Sequence, residues 1–299
     1  MDEIKNKKIL KIIFVALVGL LVINLGLIVA VGLRPTTGSS QDLSGGRVIF
    51  LDVGQGDAIL IQSASGKNIL IDGGPTRQII YKLDQYLSPL RRQIDLMILS
   101  HPDQDHLNGL IEATQRYPVG QIYYNGVSDS DVNYQAWQAM ISQKKIPLHF
   151  IIGPEKLIID DTMSLDFIWP RVSLVGQDLK DDNPGSVAIE MDFYGHNFLF
   201  TGDIPAEAEI QLIPYLKAQK IEVLKVAHHG SKNSSGIDFL RAIAPIYAVI
   251  SVGPNKFGHP GFRALTNLAK VDAEILRTDE KGDIIFYSNG QDLVVKTTK

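Results

Sequence analysis

Apolar positions along the chain fall into one long unbroken run and then many short, periodic ones. The long run is Ile12–Leu33, 22 residues without a charge and with one internal polar residue, Asn24. At about 1.5 Å per residue it matches a hydrocarbon core of roughly 30 Å. The short runs begin at Arg47. Arg47–Val53, Asp57–Gln62 and Asn68–Asp72 read as strands, with Ser63–Lys67 as a hairpin turn. Gln78–Leu87 has helical spacing; the strand Ile94–Leu99 and the helix His106–Tyr117 follow. Gln121–Tyr124 reads as a short strand, Asp131–Lys144 as a helix and Leu148–Ile152 as a strand. Leu157–Pro170 has the pattern of a hairpin, and Val187–Phe193 with Asn197–Thr201 forms another, turning at Tyr194-Gly195-His196. Next come helix Pro205–Gln219, strand Glu222–Val226, helix Gly236–Ala242, strand Tyr247–Val252, helix Phe262–Val271 and a strand-rich end through Val295. This order predicts a layered α/β domain with two sheets inside and helices outside.

The flanks of the long run give it a direction. Lys5, Lys7, Lys8 and Lys11 precede it, and Arg34 alone follows directly. Residues 1–11 are therefore expected on the cytoplasmic side, 12–33 in the plasma membrane as a single-pass anchor, and the domain outside. A cleaved signal peptide would have a shorter apolar stretch, of about 7–15 residues. Residues 34–46, rich in Gly, Ser and Thr, read as a flexible linker, and 47–299 as one domain. The lipid bilayer is thus the partner that the sequence implies.

Charge and cysteine content narrow the chemistry. Of 29 basic and 33 acidic residues, five and three fall before Arg47, leaving 24 against 30, a formal net of −6 for the domain. A domain that grips long nucleic acid through its phosphates usually has a basic excess. With no cysteine, disulfides, thiolate metal sites and a cysteine nucleophile are excluded.

Three strand ends carry ligand-type residues. The strand Ile94–Leu99 leads into Ser100-His101-Pro102-Asp103-Gln104-Asp105-His106, with two imidazoles and two carboxylates in a turn. Phe198–Phe200 leads into Thr201-Gly202-Asp203, and Glu222–Val226 into His228-His229-Gly230-Ser231. Imidazole nitrogen and carboxylate oxygen are suitable ligands for borderline divalent ions. Singly, Asp203 could be a helix N-cap and the His pair an ordinary loop. Neighbouring strands would bring the three ends side by side.

This set, together with Asp52-Val53-Gly54-Gln55-Gly56-Asp57-Ala58 and Leu70-Ile71-Asp72-Gly73-Gly74, resembles the metallo-β-lactamase superfamily. Its spelling is similar to the hydrolase domain of ComEC-type DNA-uptake proteins, and exported phosphorylcholine esterases have a similar set. The resemblance implies a four-layer αββα sandwich with two divalent metal ions, Zn²⁺ or Mn²⁺. It implies His101 and Asp103 on one ion, Asp105 and His106 on the other, Asp203 bridging, and His228 or His229 completing the second site. It places Asp72 behind the ligands, with Asp57 after the Gly54-Gln55-Gly56 turn either in the same supporting role or a plain turn residue. It makes Asp105, Asp203 and His259 (in Gly258-His259-Pro260, a substrate-side proton donor or a ligand) the candidate catalytic groups.

The chain departs from most of the superfamily by having Asp103 where a histidine is usual. A further histidine before the Gly-Asp turn is also missing. His149 reads as a core residue and His196 as a turn residue, so Asn183 or Ser186 occupies the corresponding region. Ser231, Lys232, Ser234 and Ser235 form a donor-rich loop suited to phosphate oxygens. The expected activity is metal-dependent hydrolysis of a phosphoester, in nucleic acid or in a cell-envelope phosphodiester, with no protein nucleophile and no Gly-x-Ser-x-Gly elbow. A β-lactamase proper fits the ligand set less well. An anchored binding module with a metal kept for structure is the reading from another class.

Overall fold

The structure is a computed structural model that describes residues 45–218 and 220–299. The expected cytoplasmic segment 1–11, the anchor 12–33 and all but the last two residues of the linker 34–46 lie outside the described residues. Among the described residues no helix is long and apolar enough to cross a membrane.

The first six strands are β1 (Gly46–Phe50), β2 (Ile59–Gln62), β3 (Asn68–Ile71), β4 (Ile94–Leu99), β5 (Val119–Tyr124) and β6 (Leu148–Phe150). Helices α1 (Gln78–Tyr86), α2 (Gln104–Arg116) and α3 (Val132–Lys144) connect β3 to β4, β4 to β5 and β5 to β6, which pair in parallel. The next seven are β7 (Glu155–Asp160), β8 (Met163–Trp169), β9 (Ala188–Phe193), β10 (His196–Phe200), β11 (Val223–Lys225), β12 (Tyr247–Ile250) and β13 (Glu274–Arg277). Here α4 (Ala206–Leu212), α5 (Ile237–Ile243) and α6 (Phe262–Ala269) join the parallel run from β10 to β13. After the one-turn α7 (Thr278–Lys281), β14 (Ile284–Ser288) and β15 (Leu293–Thr297) return to the first sheet. The sheet orders are β15-β14-β1-β2-β3-β4-β5-β6 and β13-β12-β11-β10-β9-β8-β7.

Period-two alternation explains the layering, because successive strand residues face opposite sides. Val48, Phe50, Ile59, Ile61, Ile69, Ile71, Leu96 and Ile98 pack against Phe198, Phe200, Val223 and Val249 in one core between the sheets. Their neighbours Ile49, Leu60, Leu70, Met97 and Leu99 meet α1, α2 and α3 on the far side. Leu199, Leu224, Ala248 and Ile250 likewise meet α4, α5 and α6. The result is the expected αββα arrangement.

Local chemistry sets where elements stop. The helix expected over Pro205–Gln219 ends at Leu212 and passes into a 3₁₀ turn, Ile213–Tyr215. Pro214 lacks the N–H that would continue the ladder. The helix expected from His106 starts two residues earlier, at Gln104. His196 belongs to β10 rather than to the turn before it.

Candidate metal centre

The loop after β4 is fixed from behind. Asp72 follows β3 in a left-handed conformation (φ 56°), which aims its carboxylate at the neighbouring strand end. Asp72 Oδ1 accepts from the Ser100 backbone N–H (2.8 Å), and Oδ2 from the Ser100 hydroxyl (2.7 Å) and His106 Nδ1 (2.9 Å). The Gly73-Gly74 turn lies directly on α2: Gly73 N–H donates to His106 O, and Gly109 N–H to Gly74 O, both at 2.8 Å. A Cβ on Gly109 would run into the Gly73 carbonyl. This backbone contact holds His106, Asp105 and the ends of β3 and β4 in one frame.

The second sheet supplies the opposing groups from the carboxyl ends of β10, β11 and β12. Asp203 is 2% exposed, and its backbone N–H donates to Ser186 Oγ (3.2 Å). His228, His229 and Gly230 all have positive φ (50°, 51° and 76°), a tight reversal that turns the two rings different ways. His229 is buried, with Nδ1 on the Ser251 carbonyl (2.9 Å). His228 is 30% exposed at the side chain, and its ring packs edge-on against His259 (5.5 Å between centroids).

Hydrogen-bond bookkeeping then fixes what the three buried histidines present. Asp72 and the Ser251 carbonyl are acceptors, so His106 and His229 donate to them from Nδ1. Ser100 spends its one proton on Asp72 and so accepts from His101 Nδ1 (2.9 Å). In each ring Nε2 is left to face the centre, and all three Nε2 atoms are buried without a hydrogen bond. Asp203 Oδ1 is orphaned in the same way. Four unsatisfied buried polar atoms at one point are costly unless something binds them. His101, His106 and Asp203 bring ligand atoms within 4.8 Å of one another, as do Asp105, His106 and His229. Asp203 Oδ2 lies 3.5 Å from His106 Nε2 and 3.4 Å from His229 Nε2, between the two groups. The donor set fits divalent ions.

The electrostatics agree. Burial pushes the His106 and His229 pKa values down, but Asp203, with Asp72 and Asp57, holds both well above the ordinary range. Against the upward push of burial, His229 and His106 hold Asp203 well below its usual value and Asp105 at about 2. Without ions, protons sit on the same atoms that a metal would take, so the two compete.

Two groups complete the picture. Asp57, 1% exposed, contacts the ammonium of Lys225, also 1% exposed, and lies 3.4 Å from His229 Nδ1. Burial raises the Asp57 pKa, yet Lys225 and His229 pull it far below normal. Lys225 escaped the sequence reading; its signal is a lysine inside the apolar strand Val223–Val226. Asp103 is half-exposed at the rim (45% at the side chain), its Oδ2 3.5 Å from His101 Nε2.

The remaining expected residues are spread around this centre. His259 stands at the mouth beside His228, its backbone N–H and carbonyl both bonded to the Asn255 side chain. Asn183 lies in a 3₁₀ turn (Asn183–Gly185), and Ser186 is fully buried beneath Gly202-Asp203. Ser231 and Ser234 are buried, the latter donating to Ile204 O (2.9 Å), so they shape the loop; Lys232 is exposed. His149 pairs with Glu155 (2.8 Å) and stacks on Tyr123, and His196 pairs with Glu222 (3.0 Å). His196 opens β10, at the opposite end of that strand from Asp203, and His149 lies in the edge strand β6. His149 is an exposed ion-pair residue, not the core residue expected from its strand.

An αββα sandwich that gathers buried imidazoles and carboxylates at its strand ends defines a metal-dependent hydrolase. The chain belongs to the metallo-beta-lactamase superfamily, whose model matches residues 51–253. Its relatives bear out the ComEC-type resemblance. It is 28% identical over 267 residues to the ComE operon protein 3 of Bacillus subtilis, covering 82% of this chain and 34% of that protein. It is 29% identical to the competence protein ComA of Neisseria gonorrhoeae (80% of this chain, 32% of that one). It is also 29% identical to recombination protein 2 of Haemophilus influenzae (80% and 28%). The chain thus spans about a third of the length of these relatives. Among solved structures it is similar in fold to Igni18, a metallo hydrolase from Ignicoccus hospitalis (TM-score 0.52, 14% identity, 85% of this chain and 100% of that one). CmlA, a diiron β-hydroxylase from Streptomyces venezuelae, is another (TM-score 0.53, 12% identity, 82% and 54%).

Proposed function

We propose that the protein is a membrane-anchored, metal-dependent phosphodiesterase that works outside the membrane, with nucleic acid as its substrate. One observation carries the catalytic part: three buried histidine Nε2 atoms, none hydrogen-bonded, converge on Asp105 and Asp203. His101, Asp103 and Asp203 would hold one ion, and Asp105, His106, His229 and Asp203 the other. When bound, two divalent ions, Zn²⁺ or Mn²⁺, supply Lewis acidity and draw the pKa of water toward neutrality.

The chain's own groups do the rest. Asp72, Ser100 and the Ser251 carbonyl keep the three imidazoles in one tautomer. His259 has its pKa lowered by burial and by His228. It is therefore neutral near pH 7, and its part is to hydrogen-bond a substrate oxygen or accept a proton, rather than to deliver one as imidazolium. Exposed Lys232 would meet a phosphate oxygen, and Asn183, in the turn before Ser186, would contact the substrate as well. The oxygen-rich ligand set, with Asp103 for histidine, supports a phosphoester over a lactam. Relatives named for competence and recombination support nucleic acid. The apolar run Ile12–Leu33, with its lysines before it, supports the anchor and its orientation.

The full chain, purified in detergent, should carry two divalent ions by elemental analysis. It should hydrolyse bis-p-nitrophenyl phosphate and single-stranded DNA with Mn²⁺ or Zn²⁺. Failure to cleave any phosphodiester with either metal bound would overturn the proposal. Protease added to intact cells should remove the domain; a protected domain would overturn its location.

A further inference from the structure

The mouth of the metal centre opens onto a surface of unusual composition. Two of the segments that form it, His228–Ile237 and Gly253–Arg263, contain no acidic residue, although the domain as a whole is acidic and Asp103 lies on the rim. They present three exposed cations, Lys232, Lys256 and Arg263. Between these stand two exposed aromatic rings, Phe257 at 62% and Phe262 at 85% exposure. What sets these two rings apart from other exposed apolar side chains, such as Tyr81, is that cations flank them at the mouth of the centre.

The surface is joined to the centre by direct contacts. His228 Nε2 lies 3.8 Å from Asp203 Oδ2, and the His228 ring packs against His259. Phe257 in turn stacks on His259, 5.8 Å between centroids and 23° from parallel, with Lys256 Nζ 5.6 Å from the Phe257 centroid. On the other flank Gly261 N–H donates to Gly230 O (2.8 Å), and Arg263 Nη1 to Lys232 O (3.2 Å). These bonds tie the Phe262 end of α6 to the loop after His229.

We infer that this surface is a platform for single-stranded nucleic acid, on which bases stack on Phe257 and Phe262 while Lys232, Lys256 and Arg263 follow the phosphates. It rests on the phosphodiesterase reading of the adjacent centre and names its substrate class. Exposed rings interleaved with cations are the chemistry by which proteins hold unpaired strands without reading sequence. Two features set other occupants aside. A quaternary ammonium headgroup would be repelled by three cations, and one face of Phe257 is already taken by His259. A bilayer lying on this surface would seal the mouth beside His228 and His259.

The test uses the full chain, freed of metal with a chelator so that nothing is cleaved, and a fluorescently labelled oligothymidylate read by anisotropy. Binding should weaken with salt. Phe257→Ala/Phe262→Ala should weaken it about tenfold or more with the salt slope kept. Lys256→Gln/Arg263→Gln should flatten the slope. An unchanged thermal melt would show that the variants are folded. Absence of oligonucleotide binding, equal binding by the phenylalanine variant, or equal competition by inorganic polyphosphate would each overturn the platform. Hydrolysis of bis-p-nitrophenyl phosphate by the metal-loaded protein, run in parallel, keeps the two readings apart. Binding without hydrolysis sinks only the phosphodiesterase, and hydrolysis without binding sinks only the platform.

Discussion

Replacing Lys225 by methionine removes the ammonium from a pocket where both partners are about 1% exposed. Asp57 then has no substitute. The His229 and His106 Nδ1 atoms lie 3.4 and 3.9 Å away, but each is committed, to Ser251 O and to Asp72. Breaking a buried pair on one side costs about 3–5 kcal/mol. For a domain of this size that is a drop in Tm of roughly 6–20 °C. Urea unfolding of chelator-treated protein is the direct assay. In wild type, burial raises the Asp57 pKa, but Lys225 together with His229 and His106 outweighs it and holds the carboxylate ionised; without Lys225 the largest opposing charge is gone and burial is less well countered. The deficit of Lys225→Met should therefore shrink as pH falls, because an unpaired buried carboxylate takes up a proton. Asp57→Asn in the same chain should restore more than half of the loss. The sign on metal binding is opposite: with two divalent ions present, Lys225 brings Asp57, Asp72, Asp103, Asp105 and Asp203 to neutrality. Removing it should tighten ion binding. A Lys225→Met protein within about 0.5 kcal/mol of wild type, the range of ordinary surface changes, would refute this account of the pair.

Three further outcomes follow from the geometry. His229→Ala should lose one ion per chain and weaken hydrolysis by more than about 100-fold, whereas His228→Ala keeps its metal content; elemental analysis and initial rates check both. Gly109→Ala should destabilise by about 1–3 kcal/mol, since its Cβ meets the Gly73 backbone, although helix propensity alone predicts a gain of about 1 kcal/mol. Glu209 is 1% exposed, and burial raises its pKa to about 7 even though the Ser235 and Gly236 N–H groups bond to it. Its unfolded value is near 4.3, so the folded state holds the extra proton. Glu209 then contributes stability that is full below about pH 4 and is lost by about pH 7, some 3 kcal/mol in all. The stability difference between wild type and Glu209→Gln, from urea unfolding at pH 4 and pH 8, should change by about that amount.

Much of this protein is legible in its sequence, and the gaps have physical causes. Ile94–Leu99 appears in the structure with the same ends, because an unbroken apolar run between polar turns leaves a strand little room to slip. The three ligand-bearing strand ends were visible one by one. Their meeting was expected, as neighbours and from the resemblance; that β4 lies in one sheet and β10 and β11 in the other was not, because spacing along the chain does not say which strands share a sheet. Choosing between His228 and His229 needed the left-handed reversal that buries one ring and leaves the other at the mouth. Lys225 was hidden by its type, since a lysine in a strand reads as exposed until its partner is known. The short helix α4 shows the reverse error: helical spacing in Pro205–Gln219 outran Pro214.

The residues that would hold metal come from both halves of the sandwich: His101, Asp105 and His106 follow a strand of one sheet, Asp203 and His229 strands of the other. Ions held there would therefore act as cross-links between the sheets. Asp105 and Asp203 are roughly 100 residues apart, and a covalent bridge closing such a loop adds about 4–5 kcal/mol of stability. This chain has no cysteine with which to make one. Chelation should accordingly do more than stop turnover. It should let the two sheets part more readily and admit water to the core where Phe50, Phe198, Phe200 and Phe286 meet. In this domain the atoms that would cut a substrate are also a seam of the fold.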